Sequence, residues 1–97
     1  MPVYLIIDIA IIDPDVYGEF VERVSAVVEQ YGGRYLVRTG EVATLAGDWQ
    51  PERIVVVEFD SSEQVQEFYA SPEYQALAPF REQSTTSRAI LVQGYEP

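Results

Sequence analysis

The 97-residue chain carries 16 Asp plus Glu against six Lys plus Arg, and its formal net charge of −10 repels phosphate backbones and anionic membrane surfaces alike. It contains no Cys, no His and no Lys, so every side-chain cation is an arginine. Disulfides, thiolate nucleophiles, zinc clusters, imidazole bases, histidine-ligated haem and lysine Schiff bases are excluded together, which leaves acid–base work to Asp, Glu or Tyr.

Val3 to Ile12 is dominated by β-branched and aliphatic residues and predicts a central strand. The stretch MPVYLIIDIAII has no basic leader and is interrupted by Asp8, so it reads as a mature strand of a soluble, cytoplasmic protein. Asp13-Pro14 follows, an N-cap and a first-turn proline. The helix they open has Tyr17, Phe20, Val21, Val24, Val27, Val28 and Tyr31 at steps of three and four, and Gly32-Gly33 stops it.

Arg34 to Thr39 predicts a second strand and Arg53 to Asp60 a third, joined by GEVATLAGDWQPE. That connection can prolong the second strand before turning at Gly47-Asp48, while Pro51 resists central pairing, which makes a hairpin with a long tip. Ser61 with Gln64 forms a capping-box pattern before a helix bearing Val65, Phe68 and Tyr69. Ser71-Pro72 predicts a fresh helix start, and Pro72 and Pro79 are expected to divide the region into short segments. A last strand is expected from about Arg88 to Tyr95.

The order strand, helix, strand, strand, helix, strand over residues 1–97 predicts one α+β domain of ferredoxin-like βαββαβ type, with a four-stranded antiparallel sheet and helices on one face. Strand alternation adds a second expectation. Val3, Leu5, Ile7, Ile9 and Ile11 form one row of the first strand, and Tyr4, Ile6, Asp8, Ala10 and Ile12 the other; in the third strand Val55, Val57 and Phe59 oppose Ile54, Val56 and Glu58. Both rows are mainly apolar, whereas an uncovered sheet face should be polar. A homodimer with its two sheets facing each other is the expected solution.

YGGRYLVR at 31–38, LAGDWQPER at 45–53, VEF at 57–59, SPEYQAL at 71–77, Arg81 and LVQG at 91–94 together resemble the domain-of-unknown-function family numbered thirteen-thirty, within the dimeric α/β-barrel superfamily. The resemblance covers nearly the whole chain. It implies a ferredoxin-like protomer and a dimer whose sheets form a barrel. It implies no activity, because the superfamily's monooxygenases, isomerases and haem-dependent enzymes are distinguished by site residues.

The candidate site residues each have a structural alternative. Arg34 and Arg38 can hold a ligand anion or pair with a carboxylate, Asp8 and Glu58 being the available partners. Asp8 and Glu58 are also the best acid–base candidates, or else interface hydrogen-bonding groups. Ser71 and Tyr74 open a helix that can hold an anion or merely bend the chain. Tyr31, Tyr35, Tyr69 and Tyr74 can line an aromatic pocket or fill core, Trp49 is a dimer anchor or a pocket lid, and Arg81 is a further electrostatic clamp. No metal site and no cofactor are expected, since only scattered carboxylates could serve as ligands. The sequence therefore predicts a homodimer that binds a small anionic or aromatic molecule between sheet and helices, with cofactor-independent acid–base or oxygenation chemistry conceivable. The alternative is a non-catalytic interaction module. Neither nucleic acid nor membrane is an expected partner.

Overall fold

The computed structural model describes residues 1–38 and 40–97. The elements run β1 (Val3–Ile11), α1 (Pro14–Gln30), β2 (Arg34–Val37), β3 (Arg53–Phe59), α2 (Ser62–Ala70), α3 (Pro72–Ser84) and β4 (Thr85–Gln93). The sheet is antiparallel in the order β2-β3-β1-β4, the arrangement expected of a ferredoxin-like chain. All three helices cover one face, and the Cα envelope of 38 × 36 × 17 Å is correspondingly flat. Among the described residues no helix is long and apolar enough to cross a membrane.

Local chemistry sets the element ends. Asp13 Oδ1 accepts from the Val16 amide at 3.2 Å, which caps α1, and Pro14 occupies its first turn. At the other end Gly32 takes φ +88°; its amide donates to the Glu29 carbonyl and that of Gly33 to the Val28 carbonyl, a Schellman closure. The second glycine has a different reason. A Cβ on Gly33 would lie 2.6 Å from Val28 Cγ1 and 2.9 Å from Phe59 Cζ, so the backbone there is pressed onto the core. Ser61 Oγ caps α2 through the Gln64 amide, while Gln64 Oε1 returns to the amide of Asp60.

Three expectations need correction. The second strand ends at Val37, within the expected Arg34–Thr39 span, and Thr39 lies outside the described residues. A bulge lies between Tyr35 and Val37, pairing with β3 resumes at Val37 opposite Val56 and goes no further, so GEVATLAGDWQPE does not prolong the strand; Gly47 in that tip has φ +80°. Pro79 does not divide α3, because it lies on the exposed side, where the carbonyl its ring leaves without a donor can reach water. The last strand begins three residues earlier than Arg88. Ser84 is fully buried and its carbonyl accepts from the amides of Ile12 and Asp13, so α3 passes into β4 without a loop and Thr85 pairs with Ile11.

The core lies between helices and sheet: Val3, Leu5 and Ile9 of β1 and Val55, Val57 and Phe59 of β3 meet Phe20, Val24 and Val28 of α1 and Phe68 of α2. Phe68 is surrounded by rings, its centroid 4.8 Å from Tyr74, 5.1 Å from Tyr69 and 5.9 Å from Phe59. The opposite row of the sheet stays uncovered in the protomer. Ile90 there is 61% exposed, Leu36 54% and Val92 40%, beside half-buried Tyr4, Ile6, Ile54 and Val56.

Candidate functional site

The two layers do not close completely. A cavity of about 110 Å³ remains between them. Its sheet side is formed by Leu5, Ile7, Ile9, Val55 and Val57, its helix side by Phe20, Val24 and Phe68. Four tyrosines, Tyr17, Tyr35, Tyr69 and Tyr74, also reach it. An apolar chamber with a few polar groups is the usual form of a small-molecule site.

Those polar groups are mostly arginines. Arg38, Arg53 and Arg81 line the cavity, and no Asp or Glu does, although the chain has 16 of them. Arg53 follows from strand alternation, being two residues before Val55 on the inward row. Arg38 needs the β2 bulge: three residues beyond inward-facing Tyr35 it would otherwise point to the far side, and the extra residue returns it. Its guanidinium lies 5.0 Å from the Tyr35 ring centroid, and that of Arg53 5.4 Å from the ring of Tyr17. Arg53 Nη1 also donates to the backbone carbonyl of Arg38 at 3.4 Å, which ties its side chain to the end of β2. Among the described residues neither has a carboxylate partner.

Arg81 approaches from α3, where its Nη2 lies 3.6 Å from Glu82 Oε1. Its Nε is buried and, among the described residues, unpartnered. A buried donor left unpaired costs about 1–3 kcal/mol, which an acceptor supplied from the cavity would offset. Burial pushes the Tyr69 phenol up to about 12, with Tyr74 adding to the shift and Arg81 opposing it. Tyr74 and Tyr35 are raised for the same first reason, against the pull of Arg81 and, for Tyr35, of a Ser25 hydrogen bond and Arg38. These phenols are protonated at neutral pH and serve as hydrogen-bond groups rather than bases. The lining can hold an anion, but it contains no group able to take a proton from carbon.

The other carboxylate and arginine candidates lie on the helix-free face. Asp8 pairs across the sheet with Arg88, whose Nε donates to Asp8 Oδ2 at 3.1 Å, and the Trp49 indole donates to the same oxygen at 2.9 Å. Arg88 touches the cavity rim from the edge strand, but its guanidinium is engaged here. Glu58 is opposite Tyr4, four positions along β1 from Asp8, and accepts from Arg34 Nε at 3.0 Å, while Arg34 Nη2 reaches Asp60 at 3.1 Å. Asp60 and Glu58 hold the Arg34 guanidinium pKa above its ordinary value. The structure thus brings neither Asp8 and Glu58 together nor either of them into the cavity. Trp49 sits over the face opposite the cavity, at the tip of the hairpin.

Ser71 is buried as the cap of α3, accepting from the Tyr74 amide at 3.1 Å and donating to the Phe68 carbonyl at 2.7 Å. Tyr31 stands apart from the other tyrosines: its hydroxyl donates to Glu73, which also accepts from Gln30, a clasp between the end of α1 and the start of α3. The Glu73 carboxyl is held below its usual range by its own backbone amide first and then by Gln30 and Tyr31. Sequence reasoning missed Arg53 and Tyr17. Arg53 was legible as the inward continuation of the Val55, Val57, Phe59 row; its contact with Tyr17 depends on α1 packing and has no sequence signal.

Together the sheet, its one helix layer and the arginine-edged cavity define a ferredoxin-like α+β domain. The chain belongs to the family described as a domain of unknown function (DUF1330), whose profile matches residues 2–95. Comparison with curated proteins finds no match. Among solved structures, the RPA0582 protein of unknown function from Rhodopseudomonas palustris is similar over 99% of this chain and 84% of its own, at 21% identity and a TM-score of 0.80. SnoaB, a cofactor-independent oxygenase from Streptomyces nogalater, is similar over 99% of this chain and 95% of its own, at 15% identity and a TM-score of 0.70. A dimeric ferredoxin-like protein of unknown function from Bacteroides fragilis is 14% identical, with a TM-score of 0.67 over 96% of each chain. At these identities the likeness is one of fold.

Proposed function

We propose that the chain is a homodimeric binder of a small anionic molecule with an apolar or aromatic body, held in the chamber between sheet and helices. One observation carries the reading: four arginines and no Asp or Glu line an apolar cavity in a chain of net charge −10, and of the four only Arg88 is held by a carboxylate of the opposite face. Arg38 and Arg53, exposed and half-buried, are open to an anion entering from solvent, and the buried Arg81 Nε lacks an acceptor that a ligand oxygen supplies. Any turnover acts on an anion that the substrate forms itself, because the lining supplies electrostatic stabilisation and phenolic donors but no base. The fold shared with SnoaB supports cofactor-independent oxygenation as the reaction class to assay first.

The dimer forms through the helix-free face, where Ile90, Leu36 and Val92 are exposed beside Ile54 and Val56. A second copy covers this row with an equally apolar one, and the dimeric Bacteroides fragilis neighbour supports that assembly. Ligand-observed NMR with benzoate tests the pocket. Benzoate binding weakened at least about tenfold by Arg53→Gln, as loss of a charge-assisted contact requires, supports the reading; unchanged binding in the folded variant overturns it. Sedimentation of wild type and Val56→Glu tests the dimer, a monomeric wild type being the contrary result.

A further inference from the structure

The polar groups of the cavity fall into two sets. Arg38 and Arg53 stand with Tyr35 and Tyr17 where β2 ends and β3 begins. Arg81 stands with Tyr69 and Tyr74 against α2 and α3; its charge acts on both phenols, whereas the Tyr35 phenol feels Arg38 instead. The first set belongs to β2, β3 and α1 and the second to α2 and α3, and aliphatic residues from β1, β3 and α1 complete the lining.

The two sets ask for different atoms. Arg38 and Arg53 lie at the facing ends of β2 and β3 with no carboxylate partner among the described residues, and guanidinium forks suit the paired oxygens of a carboxylate. The buried Arg81 Nε is a single unmatched donor, and Tyr69 and Tyr74 add hydroxyls that both donate and accept. One neutral oxygen, a hydroxyl or a carbonyl, satisfies that end.

Size limits what lies between. The cavity of about 110 Å³ is smaller than the roughly 150 Å³ apolar cavity that takes up benzene. The apolar body is therefore no larger than one ring, with its polar groups extending toward the arginines at the cavity mouth.

We propose that the cavity is a two-ended site for a single-ring carboxylic acid with an oxygen substituent opposite the carboxylate, the carboxylate held by Arg38 and Arg53 and the distal oxygen by Arg81, Tyr69 and Tyr74. The proposal rests on the chamber being a ligand site and adds the class of ligand. Because an unpaired buried donor discriminates against a ligand lacking its partner, the distal oxygen sets specificity and the carboxylate sets charge selection.

Ligand-observed NMR on the full chain, with benzoate, 2-hydroxybenzoate, 4-hydroxybenzoate and phenol as probes, tests both ends. The expected order places 4-hydroxybenzoate at least about tenfold tighter than benzoate or 2-hydroxybenzoate. Arg81→Met should remove that preference, bringing 4-hydroxybenzoate to the affinity of benzoate, and Arg38→Gln should weaken all three acids more than phenol. Thermal melts of both variants establish that they are folded. Equal affinity for benzoate and 4-hydroxybenzoate, or a preference that survives Arg81→Met, overturns the two-ended site while leaving the anion pocket standing. Failure of every acid to bind overturns the pocket reading itself.

Discussion

The two faces of the sheet are built from similar aliphatic rows but treat their charges in opposite ways. On the helix-free face each arginine has a carboxylate: Arg34 has Glu58 and Asp60, and Arg88 has Asp8. On the helix-covered face Arg38 and Arg53 have none among the described residues, and Arg81 keeps a buried N–H without an acceptor. A paired arginine in a strand is explained by the fold. Arg38 is exposed and Arg53 half-buried, so their charges meet water at the mouth of the cavity, and on the binding proposal above it is these, not the paired arginines of the other face, that meet the ligand.

Substitutions test this contrast most strongly where packing is complete. Phe59, fully buried under the helices, should lose about 3–5 kcal/mol on Phe59→Ala by chemical denaturation, whereas Ile90→Ala on the other face should change protomer stability by no more than about 0.5 kcal/mol while weakening self-association. A smaller loss, about 1–3 kcal/mol, is expected for Gly33→Ala, whose new methyl meets Val28 and Phe59.

Alkaline pH separates the faces by titration. Tyr69 and, to a lesser extent, Tyr35 and Tyr74 have pKa values raised by burial, so the unfolded chain ionises first; stability is fully present below pH 10.0 and is lost as pH rises toward about 12. Tyr69→Phe should flatten that loss in pH-dependent melts. Asp8→Asn should cost little, within about 1 kcal/mol because its partners are exposed, but it should change Trp49 fluorescence by weakening the hydrogen bond that holds the hairpin tip.

Much of the fold was legible because it rests on local signals. Asp13-Pro14, Gly32-Gly33, Ser61 and Ser71-Pro72 each act within a few residues of themselves, and alternation in β1 and β3 shows which residues face which way. The β2 boundary was not legible, since a bulge depends on the partner strand, nor was the uninterrupted α3, since tolerance of Pro79 depends on which side of the helix meets water. The site was harder still. Asp8 and Glu58 looked like a pair because their strands are neighbours, but the register places them four positions apart, each beside a different arginine. Arg38 reaches the cavity only because of the bulge, and Arg53 gained meaning only once its partners could be checked and no carboxylate was found.

Arginine Nε–Hε NMR spectra recorded during a benzoate titration test the central claim most directly, because the chain has six arginines and no lysine to complicate the assignment. The expected result is that resonances of Arg38 and Arg53 shift with a common affinity, while those of Arg34 and Arg88, already paired with carboxylates, stay in place. Shifts confined to Arg34 and Arg88, or no shift at any of the six, would contradict the assignment of the covered face as the binding face.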